Sequence, residues 1–199
     1  MILYLDASAL VKRYVAEPGS AEVSQVISQA EVVGTALISR AEVAAALAKA
    51  VRLGALLSAG AWASLQAFRS EWLDLMRIQV SELTVTRADA YAWEFGLRGY
   101  DAVHLAAAAV WQDALGEPVT LATFDRPLWT TAGRVGLAAT PAAARRAVLA
   151  QPGAAGPRQS GRPDNTAPLA AFPGAYPAGR VAISKAIPKI CAPTWFLVA

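Results

Sequence analysis

Short apolar runs alternate with longer stretches of helical period from residue 1 to residue 141, and this alternation narrows the fold more than any other feature. "MILYL" (1–5), "VVGTALI" (32–38), "IQVSELTV" (78–85), "PVTLATFD" (118–125) and "LAATP" (137–141) read as strands. Between them lie helical segments. Ser20 opens one that runs to about Ala30. Ser39 and Glu42 form a capping-box pattern for another, which stops at Gly54. A third runs from Ser58 to about Arg77, with Trp62, Leu65, Phe68, Trp72 and Leu75 at three- or four-residue steps. Thr86 and Asp89 cap a fourth that ends near Gly96 and Gly99, and helices over 101–116 and 126–136 follow. Strands separated by helices predict an α/β fold with a central, mostly parallel sheet of four or five strands and helices on both faces.

Composition divides the chain. From Gln151 onward, 8 prolines and 5 glycines fall in 49 residues, against 4 and 9 in the 150 before them. The expected organisation is a folded body over 1–141 and a Pro/Gly/Ala-rich tail over 142–199, disordered or with some helix at its start. Charge follows the same division. Residues 1–150 carry 13 Lys/Arg against 14 Asp/Glu, a net of −1, while 151–199 carry 5 against 1, a net of +4. The basic balance of the whole chain therefore belongs to the tail and says little about a nucleic-acid surface on the body. Asp6, Lys12 and Arg13 interrupt any apolar signal segment, and no uninterrupted apolar run is long enough to span a membrane. The single cysteine, Cys191, excludes an internal disulfide framework. A soluble cytoplasmic protein is expected.

Ligands of open α/β sheets bind beyond the carboxyl ends of the strands. Asp6 and Asp125 each end a strand there, and Glu42 and Asp101 each lie in the first turn of a helix that begins on the same edge. Each has an ordinary structural explanation. Glu42 and Asp101 can be helix caps, and Asp6 and Asp125 can start turns. Four converging carboxylates, however, would raise one another's pKa, and a divalent cation relieves that repulsion. Oxygen donors without cysteine or histidine suit Mg²⁺, with Mn²⁺ as the alternative.

"LDASALVKRY", "SRAEVAAAL", "GYDAVHLAAA" and "LATFDRPL" resemble, in order, the four acidic motifs of the PIN domain, and their wording is similar to VapC-type toxins of bacterial toxin–antitoxin pairs. The resemblance covers residues 1–141. It implies a PIN-like three-layer fold and a metal-dependent endoribonuclease, with Asp6, Glu42, Asp101 and Asp125 as both the catalytic and the metal-binding quartet. It places Ser8 and Thr123 as supporting hydroxyls near metal-bound waters. It further implies an RNA substrate, a cognate antitoxin and a homodimer, with no membrane partner.

Lys12, Arg13, Arg40, Arg98 and Arg126 lie close to the motifs and can meet substrate phosphates. His104, the one histidine, is read as packing or hydrogen bonding at the helix end, with a role near substrate as the lesser alternative. Trp62 and Trp72 are expected in the core or an interface, and Trp129 is the one tryptophan placed to stack on a base. The rival to an enzyme is a non-catalytic PIN-like module that binds protein or RNA. A phosphoacceptor enzyme fits less well, because Asp6-Ala7-Ser8 lacks the Asp-x-Asp such phosphatases need.

Overall fold

The computed structural model describes residues 1–141; the tail expected over 142–199 lies outside the described residues. Five strands, β1 (Ile2–Leu5), β2 (Val32–Ala36), β3 (Met76–Ile78), β4 (Val119–Ala122) and β5 (Ala138–Thr140), form one sheet in the order β3-β2-β1-β4-β5. Every pairing is parallel. Seven α-helices connect them: α1 (Ala7–Val11), α2 (Ser20–Ser28), α3 (Ser39–Arg52), α4 (Ser58–Glu71), α5 (Glu82–Phe95), α6 (Gly99–Leu115) and α7 (Arg126–Ala132). This is the layered α/β arrangement that the alternation predicts. Among the described residues no helix is long and apolar enough to cross a membrane.

The central strand β1 is buried on both faces, as parallel strands between helical layers are. Leu3 and Leu5 join a core with Ala9 and Leu10 of α1, Val23 of α2, Val43 and Leu47 of α3, and Phe68 of α4. Tyr4 points the other way, into a core with Leu105 and the alanines of α6, Ala88 of α5 and Leu128 of α7. Ala102, Ala106, Ala107, Ala108 and Ala109 are buried, so α6 seats closely on the sheet through small side chains. The same closeness explains Gly34 in β2. A Cβ there would stand 2.6 Å from Trp111 Cη2 and 3.0 Å from Ile78 Cδ1.

Three element boundaries differ from the sequence reading. The helix expected to reach Arg77 ends at Glu71. A 3₁₀ turn over Trp72–Asp74 follows, because residues 76–78 are drawn into pairing with β2. Trp72 is buried there against Phe68, with ring centroids 5.3 Å apart, whereas Trp62 is largely exposed and outside the core. In place of the strand expected over 78–85, β3 spans Met76–Ile78 and shares only Ile78 with it, and the next helix starts at Glu82 rather than Thr86. Ser81 accepts from the Thr84 amide and the Thr84 hydroxyl donates to the Gln79 carbonyl, and these local bonds override the β preference of "LTV". The capping box at Ser39 does not form. Ser39 is already helical, entered from Ile38 in the αR region, and its hydroxyl shares a hydrogen bond with buried Thr35 at 2.6 Å.

Gly34→Ala is expected to destabilise the protein by about 1–3 kcal/mol through overpacking against Trp111. Urea unfolding would show it as a lower midpoint. Trp111→Phe in the same chain should recover part of the loss; no recovery would place the strain elsewhere.

Candidate active site

Asp6 follows β1 directly, and its amide still pairs with Ala122 of β4 at 3.1 Å. The chain then turns into α1, and Asp6 becomes the N-cap: Oδ1 accepts from the Ala9 amide at 2.8 Å. The Ser8 hydroxyl lies 2.8 and 2.9 Å from the two carboxylate oxygens, and the Thr123 hydroxyl donates to Oδ2 at 2.6 Å. Both hydroxyls themselves accept backbone donors, Ser8 from the Phe124 amide and Thr123 from the Asp125 amide. Two chains of hydrogen bonds thus run from the loop after β4 into one carboxylate. The bonds are needed, because Asp6 is only 3% exposed. Burial pushes its pKa up, opposed by the positive potential of His104 and by the bonds from Thr123, Ala9 and Ser8.

Asp125 is also an N-cap. Its Oδ1 accepts from the Leu128 amide of α7 at 2.9 Å, with Pro127 in the first turn. The sequence reading offered capping for Glu42 and Asp101. The structure reverses this: the two strand-end acids cap, and the two helical acids do not. Glu42 reaches out of α3 so that Oε2 lies 2.7 Å from His104 Nε2 on α6, and His104 Nδ1 lies 2.8 Å from the hydroxyl of Tyr4. His104 is buried, so its packing and hydrogen-bonding role is what the structure shows. Tyr4 was missed because a tyrosine inside "MILYL" reads as core. Thr35, whose hydroxyl donates to the Leu5 carbonyl at 2.7 Å, was missed for the same reason.

Asp101 is half-buried on the first turn of α6, and among the described residues no hydrogen bond reaches its carboxylate. Burial pushes its pKa up first, then the charge of Asp125; Arg98 opposes this, and Asp6 adds to the rise. The acids thus sense one another across the edge. Among the described residues no three Asp, Glu, His or Cys side chains converge into a ready-made cage. A fully caged ion is not what Mg²⁺ requires, since it keeps several waters and takes one or two carboxylates. The all-oxygen donor set and the unpartnered, repelled Asp101 carboxylate fit such an ion.

The cations divide into two groups. Arg13 Nε is engaged with Glu71 at 2.7 Å, and Lys12 with Glu17 at 2.9 Å while lying over the Phe124 ring. Arg40, Arg98 and Arg126 are exposed, and no ion pair involves them among the described residues. Arg40 rests over the Trp72 ring, 5.6 Å from its centroid. Trp129 is half-buried, and its indole N–H is shut from solvent without an acceptor among the described residues, which disfavours it as an open stacking platform.

Thr123→Val keeps the shape but removes one donor to Asp6 and the acceptor of the Asp125 amide. It should cost about 1–3 kcal/mol in chemical denaturation. The raised pKa of Asp101 means that the folded state holds its proton more tightly than the unfolded chain does. In EDTA, stability should therefore fall as pH rises from the unfolded value, about 4, through the higher folded one. Asp101→Asn should melt at a higher temperature than the parent at pH 7, and the difference should close as pH is lowered below the ordinary carboxylate range. An equal or lower melting temperature at pH 7 would contradict the repulsion.

The family model described as "PIN domain" matches residues 3–129. Two curated relatives from Mycobacterium tuberculosis, Ribonuclease VapC45 and Ribonuclease VapC49, are each 32% identical over 142 residues, covering 71% of this chain and 96% of theirs. Among solved structures, PAE2754 from Pyrobaculum aerophilum has the same fold with a TM-score of 0.50 and 24% identity, over 75% of this chain and 90% of that one. VapBC2 from Rickettsia felis, solved bound to a DNA fragment from its promoter, aligns with a TM-score of 0.50 and 16% identity over 70% of this chain and 98% of that one. By both the matched span and the length of shared sequence, this chain belongs to the PIN-domain family.

Proposed function

We propose that the chain is a divalent-metal-dependent endoribonuclease of the cytoplasm, acting as the toxin of a toxin–antitoxin pair. The observation that carries the chemistry is Asp101: a carboxylate that no hydrogen-bond donor reaches among the described residues, its pKa raised by burial and by two neighbouring acids at the edge where strands β1 and β4 end. The names of its relatives, ribonucleases of the VapC type, give the reaction class. Mg²⁺ or Mn²⁺, when bound, supplies charge stabilisation for the phosphodiester and a water of lowered pKa.

The protein's share of the work is placement. Asp6, Glu42, Asp101 and Asp125 would hold the ion and its waters. Ser8 and Thr123 fix the plane of the Asp6 carboxylate, so its orientation does not depend on the ion. Arg40, Arg98 and Arg126, which join no ion pair among the described residues, offer guanidinium groups to RNA phosphates, whereas Arg13 is largely committed to Glu71.

The antitoxin is the second partner of this reading. Phe68 and Trp72 are buried in the core, whereas Leu57, Trp62 and Leu73 on and beside α4 remain exposed and supply an apolar surface for it. The remaining partner is a second copy of the chain, for which exposed Leu83 and Trp93 of α5 offer apolar area.

The decisive experiment is RNA cleavage by the purified full-length chain with Mg²⁺ or Mn²⁺ and with EDTA, beside Asp6→Ala and Asp101→Asn. Cleavage should require metal and fall at least about 100-fold in Asp101→Asn, more than the loss typical of residues that only support a metal ligand. Because that variant should be at least as stable as the parent without metal, lost cleavage there cannot be lost folding. Folded parent protein that cuts none of the major RNA classes with either metal would favour the non-catalytic module.

A further inference from the structure

Glu42 and His104 belong to opposite layers. Helix α3 packs through Val43 and Leu47 onto the face that carries Leu3 and Leu5, while α6 packs through Leu105 onto the face that carries Tyr4. The main packing partners of α3 are α1 and α4, and those of α6 are α5, α7 and strands β2 and β4. The 2.7 Å bond between Glu42 Oε2 and His104 Nε2 therefore links the two layers across the strand ends.

Its chemistry is directional. An ionised carboxylate only accepts, so Nε2 must carry the hydrogen. Nδ1, on the other side of the ring, pairs with the Tyr4 hydroxyl 2.8 Å away. Both ring nitrogens are thus engaged, one by Tyr4 and one by Glu42. The ring is held, too: Tyr4 meets it edge-on, with centroids 5.9 Å apart and planes at 73°. The His104 side chain is 3% exposed, whereas that of Glu42 is 22% exposed and bonded through one oxygen. Among the described residues no hydrogen bond reaches Glu42 Oε1.

We propose that His104, oriented by Tyr4, is a positioning residue that fixes the Glu42 carboxylate at the strand ends and leaves its second oxygen turned to the cation. This rests on the reading of Glu42 as one of the metal-site acids. A glutamate on a helix has three rotatable bonds, and a partner buried in the opposite layer removes most of that freedom before any ion arrives. A group that orients a ligand in this way is commonly worth about 10–100-fold in metal affinity.

The test is Mn²⁺ binding by titration calorimetry on the full-length protein, without RNA, for the parent, His104→Ala, His104→Gln, Tyr4→Phe, Glu42→Ala and the Glu42→Ala/His104→Ala double variant. His104→Ala should weaken Mn²⁺ binding about tenfold. Tyr4→Phe should weaken it less, and His104→Gln, which keeps an N–H donor, should restore part of the loss. In the Glu42→Ala background, removing His104 should change nothing further. Cleavage assays should agree, with the Mn²⁺ activation curve of His104→Ala moved to higher concentration and its plateau largely kept.

A loss of equal size in both backgrounds would overturn the proposal, because His104 would then act on general packing and not through Glu42. Parent-like Mn²⁺ affinity in folded His104→Ala would also overturn it. Should that variant fail to fold, Tyr4→Phe and Glu42→Ala carry the comparison, and parent-like affinity in either refutes the role. Asp101→Asn separates the levels: Mn²⁺ binding lost there but intact without His104 sinks the positioning role and leaves the nuclease standing. Parent protein that binds no Mn²⁺ sinks both.

Discussion

A single buried carboxylate organises the strand ends. Asp6 is almost free of solvent, yet it collects an amide and two hydroxyls, and those hydroxyls collect two more amides from the loop after β4. Remove the carboxylate and five donors or acceptors lose their arrangement at once. Burying an ionisable group costs free energy unless its bonds are complete, and here the bonds come from residues 117 positions apart in sequence. The acid therefore fixes how β1 and β4 meet, how α1 begins and where the Asp125 loop lies.

Stability and chemistry pull in opposite directions at this edge. Asp6 has enough donors to remain tolerable; among the described residues none reaches the Asp101 carboxylate, which feels the charge of two other acids. That contrast separates a carboxylate that maintains the frame from one left available to a ligand. The apolar layers underneath absorb the cost. The alanine face of α6 seats that helix close to the sheet, and Leu3, Leu5 and Tyr4 bury β1 from both sides. Rigid packing below is what lets a repulsive cluster stand above.

Much of this was legible in the residues. Apolar runs ending on Asp6 and Asp125 located the strand ends, and Ser8 and Thr123 occur where the structure uses their hydroxyls. What the sequence hid was pairing at a distance. Ser39 and Glu42 carry a correct capping spacing, but the hydroxyl is taken by Thr35 four residues earlier and the carboxylate by a histidine 62 residues later. Neither competitor shows in a local window. Residues 78–85 failed differently: a three-residue edge strand offers little β pairing, so the cap at Ser81 wins. Trp62 and Trp72 share one helical stripe by spacing, yet the helix ends between Glu71 and Trp72, and only the second ring is turned into the core.

The order of the strands has a consequence for synthesis. The first strand made, β1, sits at the centre of the sheet, and one of its two neighbours, β4, is among the last elements of the described body to be translated. Until residues 119–125 have left the ribosome, Asp6 lacks Thr123, and Asp125 does not yet exist. A nascent chain therefore carries separated acids with no assembled edge, and sheets that depend on such distant pairings form slowly.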